Sequence, residues 1–373
     1  MAPRRRVAWL GAAALLAGVL SVAVPASAAR SPQPAPLLSV QVSGNRPAGG
    51  TAKRVPAAVG VETWKSGDFA GFSAVADKDF GLWRGRPITS ATDFQTNYSW
   101  QQFDQAERVT TIWRNQHQGI LLSIGVPLWA GFGYNHLAAA ASGYYDKHFV
   151  AMAQHLVAAG LGHSVLRLGW EFNGDWFNWG IGSTGKPADY DTRAREFAQA
   201  WRHIVTAIRN VKGAHFTFDW CVAAGPHFRN LKLAYPGNAY VDYIGMDVYD
   251  WNRAGQADTA QARWHAIVHQ GTGLAWLAKF ADAHHKAISI PEWALVHDQA
   301  SKAHSGGDDT FFINHMHHWF ATHNVAYENY FNSYDGLMSF VMGGSSNQFP
   351  AAGQLYRLLW GRPGGVRHSI AIS

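Results

Sequence analysis

Residues 164–222 read SVLRLGWEF (Ser164–Phe172), then an amphipathic stretch (Asp189–Val211), then HFTFDWCV (His215–Val222). The two short apolar runs are typical of buried strands, and the longer segment between them has helical periodicity. Two strands joined through a helix are parallel neighbours in one sheet. The stretch therefore predicts one strand–helix–strand unit.

The same alternation extends in both directions from this unit. The predicted strands are Val59–Trp64, Pro87–Phe94, Ile120–Trp129, Ser164–Phe172, His215–Val222, Tyr243–Trp251, Ala287–Leu295 and Val325–Phe331. The amphipathic segments between them include Tyr144–Gly160, Asp189–Val211, Ala260–His284 and Thr310–His323. Eight strand–helix repeats predict an α/β fold of the (β/α)8 TIM barrel type. An open doubly wound sheet is the alternative, but it would need a Gly-rich phosphate turn after the first strand, and the sequence has none there.

The amino-terminal part of the chain has a different composition. Arg4–Arg6 precede an apolar run, Val7–Val24, and the small residues Ala26–Ala28, which together predict a signal peptide over residues 1–28. An uncleaved membrane anchor is the alternative, because the run approaches the length that spans a bilayer. Residues 29–57 are rich in Pro, Ala, Ser and Gly and predict a linker. Residues 58–373 are then one catalytic barrel domain, and we expect the protein to be secreted.

Charge and cysteine content exclude several classes of protein. The net charge of +6 includes three Arg of the predicted signal peptide, and without them it is +3. No run of Lys or Arg remains, so we expect no nucleic-acid partner and, after signal cleavage, no membrane partner. Cys221 is the only cysteine, which excludes an intramolecular disulfide and a Cys-rich metal site. We expect a monomer.

Aromatic residues make up 13% of the chain, and many follow the predicted strands. In a TIM barrel the active site lies at the carboxyl ends of the strands. The tryptophans at or just beyond these ends are Trp64, Trp129, Trp170, Trp176, Trp179, Trp220, Trp251 and Trp293. Each could pack between barrel and helices. Because so many strand ends share the pattern, we favour a cleft whose flat rings stack on sugars.

Two glutamates end predicted strands on opposite sides of the barrel mouth. Glu171 ends the fourth strand and Glu292 the seventh, each after an apolar run. A carboxylate in such a context needs a partner or a task. Glycoside hydrolysis requires two carboxyl groups that face one cleft, which makes this pair the candidate for catalysis.

Two longer motifs carry a resemblance to a known family. Arg167–Gly180 reads RLGWEFNGDWFNWG and is similar to the acid/base motif of glycoside hydrolase family 26, a clan A family of retaining barrels best known for endo-β-mannanases. Tyr235–Tyr249 reads YPGNAYVDYIGMDVY and resembles its sixth-strand signature. Pro291–Trp293 resembles its nucleophile strand, and Tyr327–Asn332 its last strand. The chain resembles a secreted member of actinobacterial type.

The resemblance implies a role for several residues and requires no cofactor or metal. Glu171 would be the general acid/base and Glu292 the nucleophile. Residues expected to bind substrate or to shape the cleft are Arg167, Trp170, Asn173, Trp176, Trp179, Tyr249, Trp251, Trp293 and Tyr330. Tyr249 would donate a hydrogen bond to the nucleophile, and Arg167 would lie near the catalytic pair. The choice of Trp251, Trp293 and Tyr330 rests on their rim positions alone.

One departure from the family pattern concerns the substrate. Mannanases of the family usually have His immediately before the acid/base, where this chain has Trp170. An indole cannot make the same paired polar contacts, so the reaction class is better defined than mannan as the substrate. The primary expectation is an endo-β-1,4-mannanase-like enzyme. The alternatives are a mixed-linkage β-glucanase, a β-xylanase or a non-catalytic carbohydrate-binding barrel.

The 19 histidines suggest a metal-dependent hydrolase as a further alternative. His284–His285 and His315–His318 are the clusters, and both fall on predicted outer helices, where His is usually solvated surface. No His-Glu-x-x-His pattern is present, so we expect no metal site. The sequence also indicates no separate carbohydrate-binding module, so reach along a polymer should depend on the cleft.

Overall fold

The computed structural model describes residues 63–131, 133, 136–225, 231–251, 258–298, 305–335, 338–344 and 346–361. The predicted signal peptide and linker lie outside these residues. Within them, no helix combines the length and the hydropathy needed to cross a bilayer.

Eight parallel strands close into a barrel, which confirms the predicted (β/α)8 fold. In spatial order they are β1 (Lys65–Phe69), β2 (Ser90–Phe94), β3 (Leu121–Val126), β4 (Val165–Leu168), β5 (Thr217–Ala223), β6 (Tyr243–Tyr249), β7 (Ala287–Ala294) and β9 (Val325–Phe331). The barrel closes where β9 pairs with β1, with Tyr327 opposite Lys65 and Phe331 opposite Phe69.

Helices surround the barrel between successive strands. They are α1 (Ala74–Arg84), α2 (Trp100–Asp104), α3 (Glu107–Trp113), α4 (Leu137–Ala141), α5 (Asp146–Ala158), α6 (Tyr190–Arg209), α7 (Ala260–His269), α8 (Leu274–Ala283), α9 (Thr310–Thr322) and α10 (Pro350–Trp360). A small antiparallel sheet beside the mouth, which the sequence did not predict, consists of β8 (His297–Asp298), β10 (Tyr334–Asp335) and β11 (Met338–Ser339).

Alternation along the strands separates the barrel interior from the barrel–helix layer. On β9, the hydroxyl of Tyr327 hydrogen-bonds Asp219 on β5, across the interior. Asn329, two residues further, donates to Thr92 on β2 at 3.1 Å. Tyr330, the next residue, points away from the interior, since its ring packs against Phe80 of α1.

The first described strand, β1 at Lys65–Phe69, begins after the predicted strand Val59–Trp64, of which residues 59–62 lie outside the described residues. Its sequence, KSGDF, is too polar to be read as a buried strand, yet all but Lys65 are buried. Gly67 permits the close approach of β2, because a Cβ at this position would lie 1.6 Å from the carbonyl oxygen of Ser90. Ser66 faces α1, where its hydroxyl accepts from Arg84 at 2.7 Å.

The long helix predicted over Ala260–His284 is two helices, α7 and α8. Gly271 between them has φ of +54°, in the left-handed region that favours glycine. At Gly273, a Cβ would lie 2.6 Å from the carbonyl oxygen of Ile267. Two glycines within three residues therefore end one helix and let the chain turn tightly into the next.

Candidate active site

The turn after β4 sets the position of Glu171. Gly169 and Glu171 have φ of +53° and +52°. A non-glycine residue in this region is uncommon and persists where neighbouring contacts fix the backbone. One such contact crosses to β5, where the N–H of Glu171 donates to the carbonyl oxygen of Cys221 at 3.0 Å. The barrel therefore holds Glu171 in a strained conformation at its mouth.

The carboxylate of Glu171 is buried and accepts a hydrogen bond from an aromatic side chain. Glu171 is 5% exposed. The indole Nε1 of Trp176, which is half-buried, donates to Glu171 Oε2 at 2.7 Å. The predicted location of Trp176 beside the acid/base candidate thus agrees with the structure.

Asn173 fixes the same loop to the barrel. Its Nδ2 donates to the carbonyl oxygen of Ala223 at 2.8 Å, and its Oδ1 accepts from the Ala223 N–H at 2.8 Å. Asn173 was predicted to bind substrate, but the structure engages both of its amide atoms with the backbone of β5. Its role here is to position the Glu171 loop.

A β-bulge on β7 places Glu292 inside the barrel. Ser289 pairs with Gly245 and Trp293 with Val248, so β7 has one residue more than β6 over the same span. β7 has the same extra residue against β9. A bulge shifts the alternation of side chains by one position. Without it, Glu292 would point towards the helices and Trp293 into the mouth.

Two donors hold the carboxylate of Glu292, which is completely buried. Arg167 Nη2 donates to Oε1 at 2.8 Å, and the Tyr249 hydroxyl donates to Oε2 at 2.8 Å. Each oxygen thus has its own charged or phenolic donor. Hydrogen bonds of this kind stabilise the ionised form of a carboxylate and fix its direction.

Asp247 is a site residue that the sequence analysis missed. Its Oδ2 accepts from the same Arg167 Nη2 at 2.7 Å, so one guanidinium serves two buried carboxylates. Burial lowers the pKa of Arg167, but Asp247, Cys221 and Glu292 together raise that pKa well above its ordinary value, so Arg167 stays charged. Asp247 lies two residues before Tyr249 on β6, and this spacing was the signal that both side chains share the interior face.

The charges of Glu171 and Glu292 both raise the pKa values of two residues at the mouth, Tyr249 and Asp247. Burial raises the pKa of Tyr249 well above its usual value, and the charges of Glu292, Asp247 and Glu171 raise it further. The pKa of Asp247 is raised by burial against the effect of Arg167, again with contributions from both glutamates. The structure therefore brings the two predicted catalytic carboxylates together around Tyr249 and Asp247.

Two of the predicted cleft residues lie elsewhere. The indole of Trp293 is completely buried, donates to Glu328, and packs against Phe312 of α9 and Trp360 of α10. The β7 bulge that turns Glu292 inwards turns Trp293 outwards. Tyr330 is likewise completely buried and accepts from the Leu295 N–H at 3.3 Å. Both belong to the barrel–helix layer, so their predicted contact with substrate is wrong.

Two further tryptophans that were placed at the rim belong to the same layer. Trp64 precedes β1, at its amino-terminal end, and packs against His317 and Phe320 of α9. Trp220 points outwards from β5 and stacks on Phe280 of α8, with ring centroids 5.4 Å apart. The packing alternative is correct for Trp64, Trp220 and Trp293.

The other predicted aromatic residues stay at the mouth with different degrees of burial. Trp170 is 4% exposed and its ring contacts Phe94 of β2. Trp179 donates from Nε1 to the Trp170 carbonyl oxygen at 2.9 Å and is almost completely buried, so it stabilises the loop. Trp129 is also buried, with its Nε1 donating to Gly133 O at 3.0 Å. Trp251 is half-buried, two residues beyond β6.

Phenylalanines that the sequence analysis missed complete the wall of the mouth. Phe94 contacts Phe69 of β1, and Phe69 contacts Phe331 of β9, with centroid distances of 5.2 Å and 5.0 Å. Phe340 then links Phe331 to Tyr249, at 5.4 Å and 5.3 Å. Interior residues at the strand ends could have been found by counting forward in steps of two from a polar interior residue, as from Asn329 to Phe331.

Titratable residues outside the pair form no metal centre in the described ranges. No group of three or more His, Cys, Asp or Glu side chains there is arranged to hold a metal ion. His317 is not the solvated residue expected: it is half-buried between Trp64 and Trp360, and burial lowers its pKa to about 4. Cys221 is buried on β5, and burial raises the pKa of its thiol.

Comparison with protein families gives one match that covers the site. The sequence profile described as Glycosyl hydrolase family 26 matches residues 149–334, which include Arg167, Glu171, Tyr249 and Glu292. Endoglucanase H of Acetivibrio thermocellus is 29% identical over 239 residues, 62% of this chain and 23% of that protein. Mannan endo-1,4-beta-mannosidase of Bifidobacterium adolescentis is 27% identical over 151 residues, 39% of this chain and 14% of that protein. The chain thus spans about a quarter or less of the length of these relatives.

Solved structures share the fold at low sequence identity. GH26C of Muricauda sp. has a TM-score of 0.57 and 17% identity, over 81% of this chain and 86% of that chain. The modular endo-beta-1,4-mannanase of Cellulomonas fimi has a TM-score of 0.53 and 18% identity, over 76% of this chain and 66% of that chain. These likenesses support the barrel. The actinobacterial type stays a prediction.

Proposed function

The chain belongs to glycosyl hydrolase family 26, and from this premise we propose that it is a retaining endo-β-glycanase of mannanase-like action. The observation that carries the proposal is the pair of hydrogen bonds that Arg167 and Tyr249 donate to the buried carboxylate of Glu292. A carboxylate that two donors fix in direction at a barrel mouth is suited to attack on an anomeric carbon.

In the first step of the proposed reaction, a Glu292 oxygen attacks the anomeric carbon of the bound sugar. The bond from that carbon to the glycosidic oxygen breaks, and protonated Glu171 donates its proton to the departing oxygen. The sugar is then joined to Glu292 as an ester, and the other half of the polymer leaves.

In the second step, Glu171 is a carboxylate and acts as a base. It takes a proton from water, the water oxygen attacks the anomeric carbon, and the ester bond to Glu292 breaks. Two inversions at the same carbon give a product with the configuration of the substrate.

The neighbours of the pair support this division of roles. Arg167 and Tyr249 donate to Glu292 and orient it, while Asp247 also accepts from Arg167 Nη2. Glu171 accepts a hydrogen bond at 2.7 Å from the neutral indole of Trp176. Trp176 therefore fixes the direction of the carboxyl group that carries the proton in the proposed first step.

A mixed-linkage β-glucanase is the second candidate. Trp170 occupies the position before Glu171, with its ring against Phe94 and its Nε1 buried. Trp170 therefore makes this side of the mouth more apolar than a histidine at the same position would. The similarity to Endoglucanase H agrees with this candidate, whereas the similarity to the Bifidobacterium mannosidase favours the first.

The proposal is tested with purified protein on mannan, lichenan, xylan and short oligosaccharides from each. Glu171→Gln and Glu292→Ala should each lower kcat by at least about 10³-fold on the substrate that the parent cleaves. Glu107→Gln, on the exposed surface of α3, is the matched control and should keep parental kcat. If the parent releases no sugar from any of these substrates, the proposed activity is wrong, and a non-catalytic carbohydrate-binding barrel is the interpretation that remains.

We further propose that the protein acts outside the cell. The support is the basic, apolar and small-residue pattern of residues 1–28. Amino-terminal sequencing of protein recovered from the culture medium should begin near residue 29. Recovery of intact protein from the membrane fraction alone would contradict secretion and favour an anchor.

A further inference from the structure

Large hydrophobic side chains are exposed at six described positions, which fall into distinct groups. The positions are Val75, Leu82, Tyr98, Tyr144, Tyr334 and Leu358. Val75, Leu82 and Leu358 are aliphatic and lie on the adjacent helices α1 and α10. Tyr98 and Tyr144, which are 42% and 70% exposed, are instead aromatic, and Tyr144 belongs to a group of contacting rings.

The aromatic strip consists of three rings in contact, Trp100, Tyr145 and Tyr144, together with the exposed Tyr98. Trp100 is half-buried and Tyr145 is buried. The ring of Trp100 lies 5.0 Å from that of Tyr145, which lies 5.2 Å from that of Tyr144. Tyr98 is two residues before Trp100, at the start of α2. The strip therefore runs along the outer surface from the loop after β2 to the start of α5.

Ring stacking and hydrogen bonds fix two rings of the strip, Trp100 and Tyr145. Trp100 stacks on His148 with ring centroids 3.8 Å apart and an interplanar angle of 12°. His148 Nδ1 in turn lies 2.8 Å from Asp104 Oδ1. The hydroxyl of Tyr145 lies 2.6 Å from His136 Nδ1. Rings fixed in this way lose little side-chain entropy when a ligand stacks on them.

The aromatic strip is connected to the loop of the acid/base candidate. Asn178, on the loop that carries Glu171, donates from Nδ2 to the carbonyl oxygens of Gly131 and Gly133 at 3.3 Å and 3.1 Å. The N–H of Gly131 donates to the carbonyl oxygen of Asn97 at 2.6 Å, and Asn97 immediately precedes Tyr98. Two sets of hydrogen bonds thus join the Glu171 loop to the backbone of Asn97, the residue before Tyr98.

We propose that the aromatic strip binds the part of the polysaccharide that extends beyond the active site on the Glu171 side. The inference rests on the proposed function, since the group that protonates the glycosidic oxygen faces the leaving half of the polymer. Tyr and Trp rings offer flat apolar faces to the C–H faces of pyranose rings, and their polar atoms can pair with hydroxyls. The aliphatic group on α1 and α10 lacks this chemistry.

Affinity electrophoresis in gels containing the polysaccharides tests binding apart from catalysis. Tyr98→Ala/Tyr144→Ala is compared with the matched control Leu82→Ala/Leu358→Ala, which removes two equally exposed hydrophobic side chains. The tyrosine variant should bind the polymer about 3- to 10-fold more weakly than the parent, whereas the control should match the parent. Equal retention of all three proteins, or no retention of the parent, would overturn the proposal.

Kinetics on long and short substrates give a second readout. The ratio of kcat/KM on polymer to kcat/KM on a tetrasaccharide of the same sugar should fall by a similar factor in the tyrosine variant alone. An equal loss on both substrates would contradict a distal site. If the parent cleaves neither substrate, the proposed function is wrong. The gel assay then still shows whether the strip binds polysaccharide. A parental dimer that the tyrosine variant converts to monomer in sedimentation would show that a second copy covers the strip.

Discussion

Arg167 is the residue on which the geometry of the catalytic pair depends most. Its guanidinium is completely buried and contacts Glu292 and Asp247 through one nitrogen, with Cys221 at 3.5 Å. Two carboxylates around one cation keep that cation charged and fixed in direction. A compact ammonium on a flexible chain cannot reproduce this planar arrangement.

Arg167→Lys should therefore lower kcat by about 10²-fold, because a displacement of the nucleophile by about 1 Å has an effect of this size. The charge is kept, so the far-UV circular dichroism spectrum should match the parent. The measurement is kcat at saturating polymer. A variant with more than half of the parental kcat would show that Arg167 does not position Glu292.

Tyr249→Phe removes one of the two donors to Glu292. Because a hydrogen bond to a charged group contributes about 1.5–3 kcal/mol, kcat should fall about 10- to 100-fold. Tyr235→Phe is the matched control, since it removes a phenol that contacts Asn238 on the outer surface. Equal effects of both substitutions would argue against a specific role for Tyr249.

At the scale of elements, the bulge on β7 decides which side chains reach the cleft. It sends Glu292 inwards and Trp293 into the layer between the barrel, α9 and α10. There the indole donates to Glu328, a completely buried carboxyl that also accepts from Trp360 at 3.0 Å. Trp293 is thus a structural residue directly beside a catalytic candidate.

Trp293→Phe should lower the free energy of unfolding by about 1–3 kcal/mol, because it leaves a small cavity and removes one donor from Glu328. KM for the polymer should stay within twofold of the parent. Urea unfolding and initial rates measure the two quantities. A large rise in KM with parental stability would place Trp293 in the cleft after all.

The sequence predicted the elements that have strong periodicity and the residues that lie in long motifs. Seven of the strands, the pair Glu171 and Glu292, and the hydrogen bond from Tyr249 all follow from such patterns. β1 could not be predicted because its polar residues are buried only through contacts with α1 and β2. The orientation of Trp293 depends on one extra residue in β7, and this is a property of pairing between strands that are distant in sequence.

At the scale of the whole molecule, the barrel buries several carboxyl groups with raised pKa values. Burial, the largest cause in each case, raises the pKa of Asp93 and of Asp219 to about 6 and that of Asp250 and of Glu328 to about 7. In the unfolded chain these groups titrate near pH 4. The folded protein therefore binds more protons than the unfolded chain between about pH 4 and pH 7.

Stability should consequently fall as the pH rises through this range. Burial lowers the pKa of the half-buried His317 to about 4 and also lowers the pKa of His284. These two groups act in the opposite sense, against four carboxyl groups. We expect the free energy of unfolding to be higher at pH 5 than at pH 8, by a few kcal/mol as an order of magnitude. Urea unfolding at the two pH values measures this, and greater stability at pH 8 would contradict the prediction.

Asp219→Asn isolates one contribution to this pH dependence. Asp219 Oδ2 accepts from Ser289 and Tyr327, which an amide oxygen can also do, and Oδ1 has no hydrogen-bond partner among the described residues. The variant should therefore keep the fold while it flattens the dependence of stability on pH between about 4 and 6. An unchanged slope would show that Asp219 is ionised in both states.

The central claim is the division of roles between Glu292 and Glu171, and chemical rescue by azide tests it most directly. In Glu171→Ala, azide should attack the sugar ester on Glu292 and give a glycosyl azide with the configuration of the substrate. In Glu292→Ala, azide should take the place of the nucleophile and give the inverted glycosyl azide. Proton NMR of the products distinguishes the two anomers. The opposite assignment of anomers, or rescue of neither variant by azide in a parent that is active, would contradict the account.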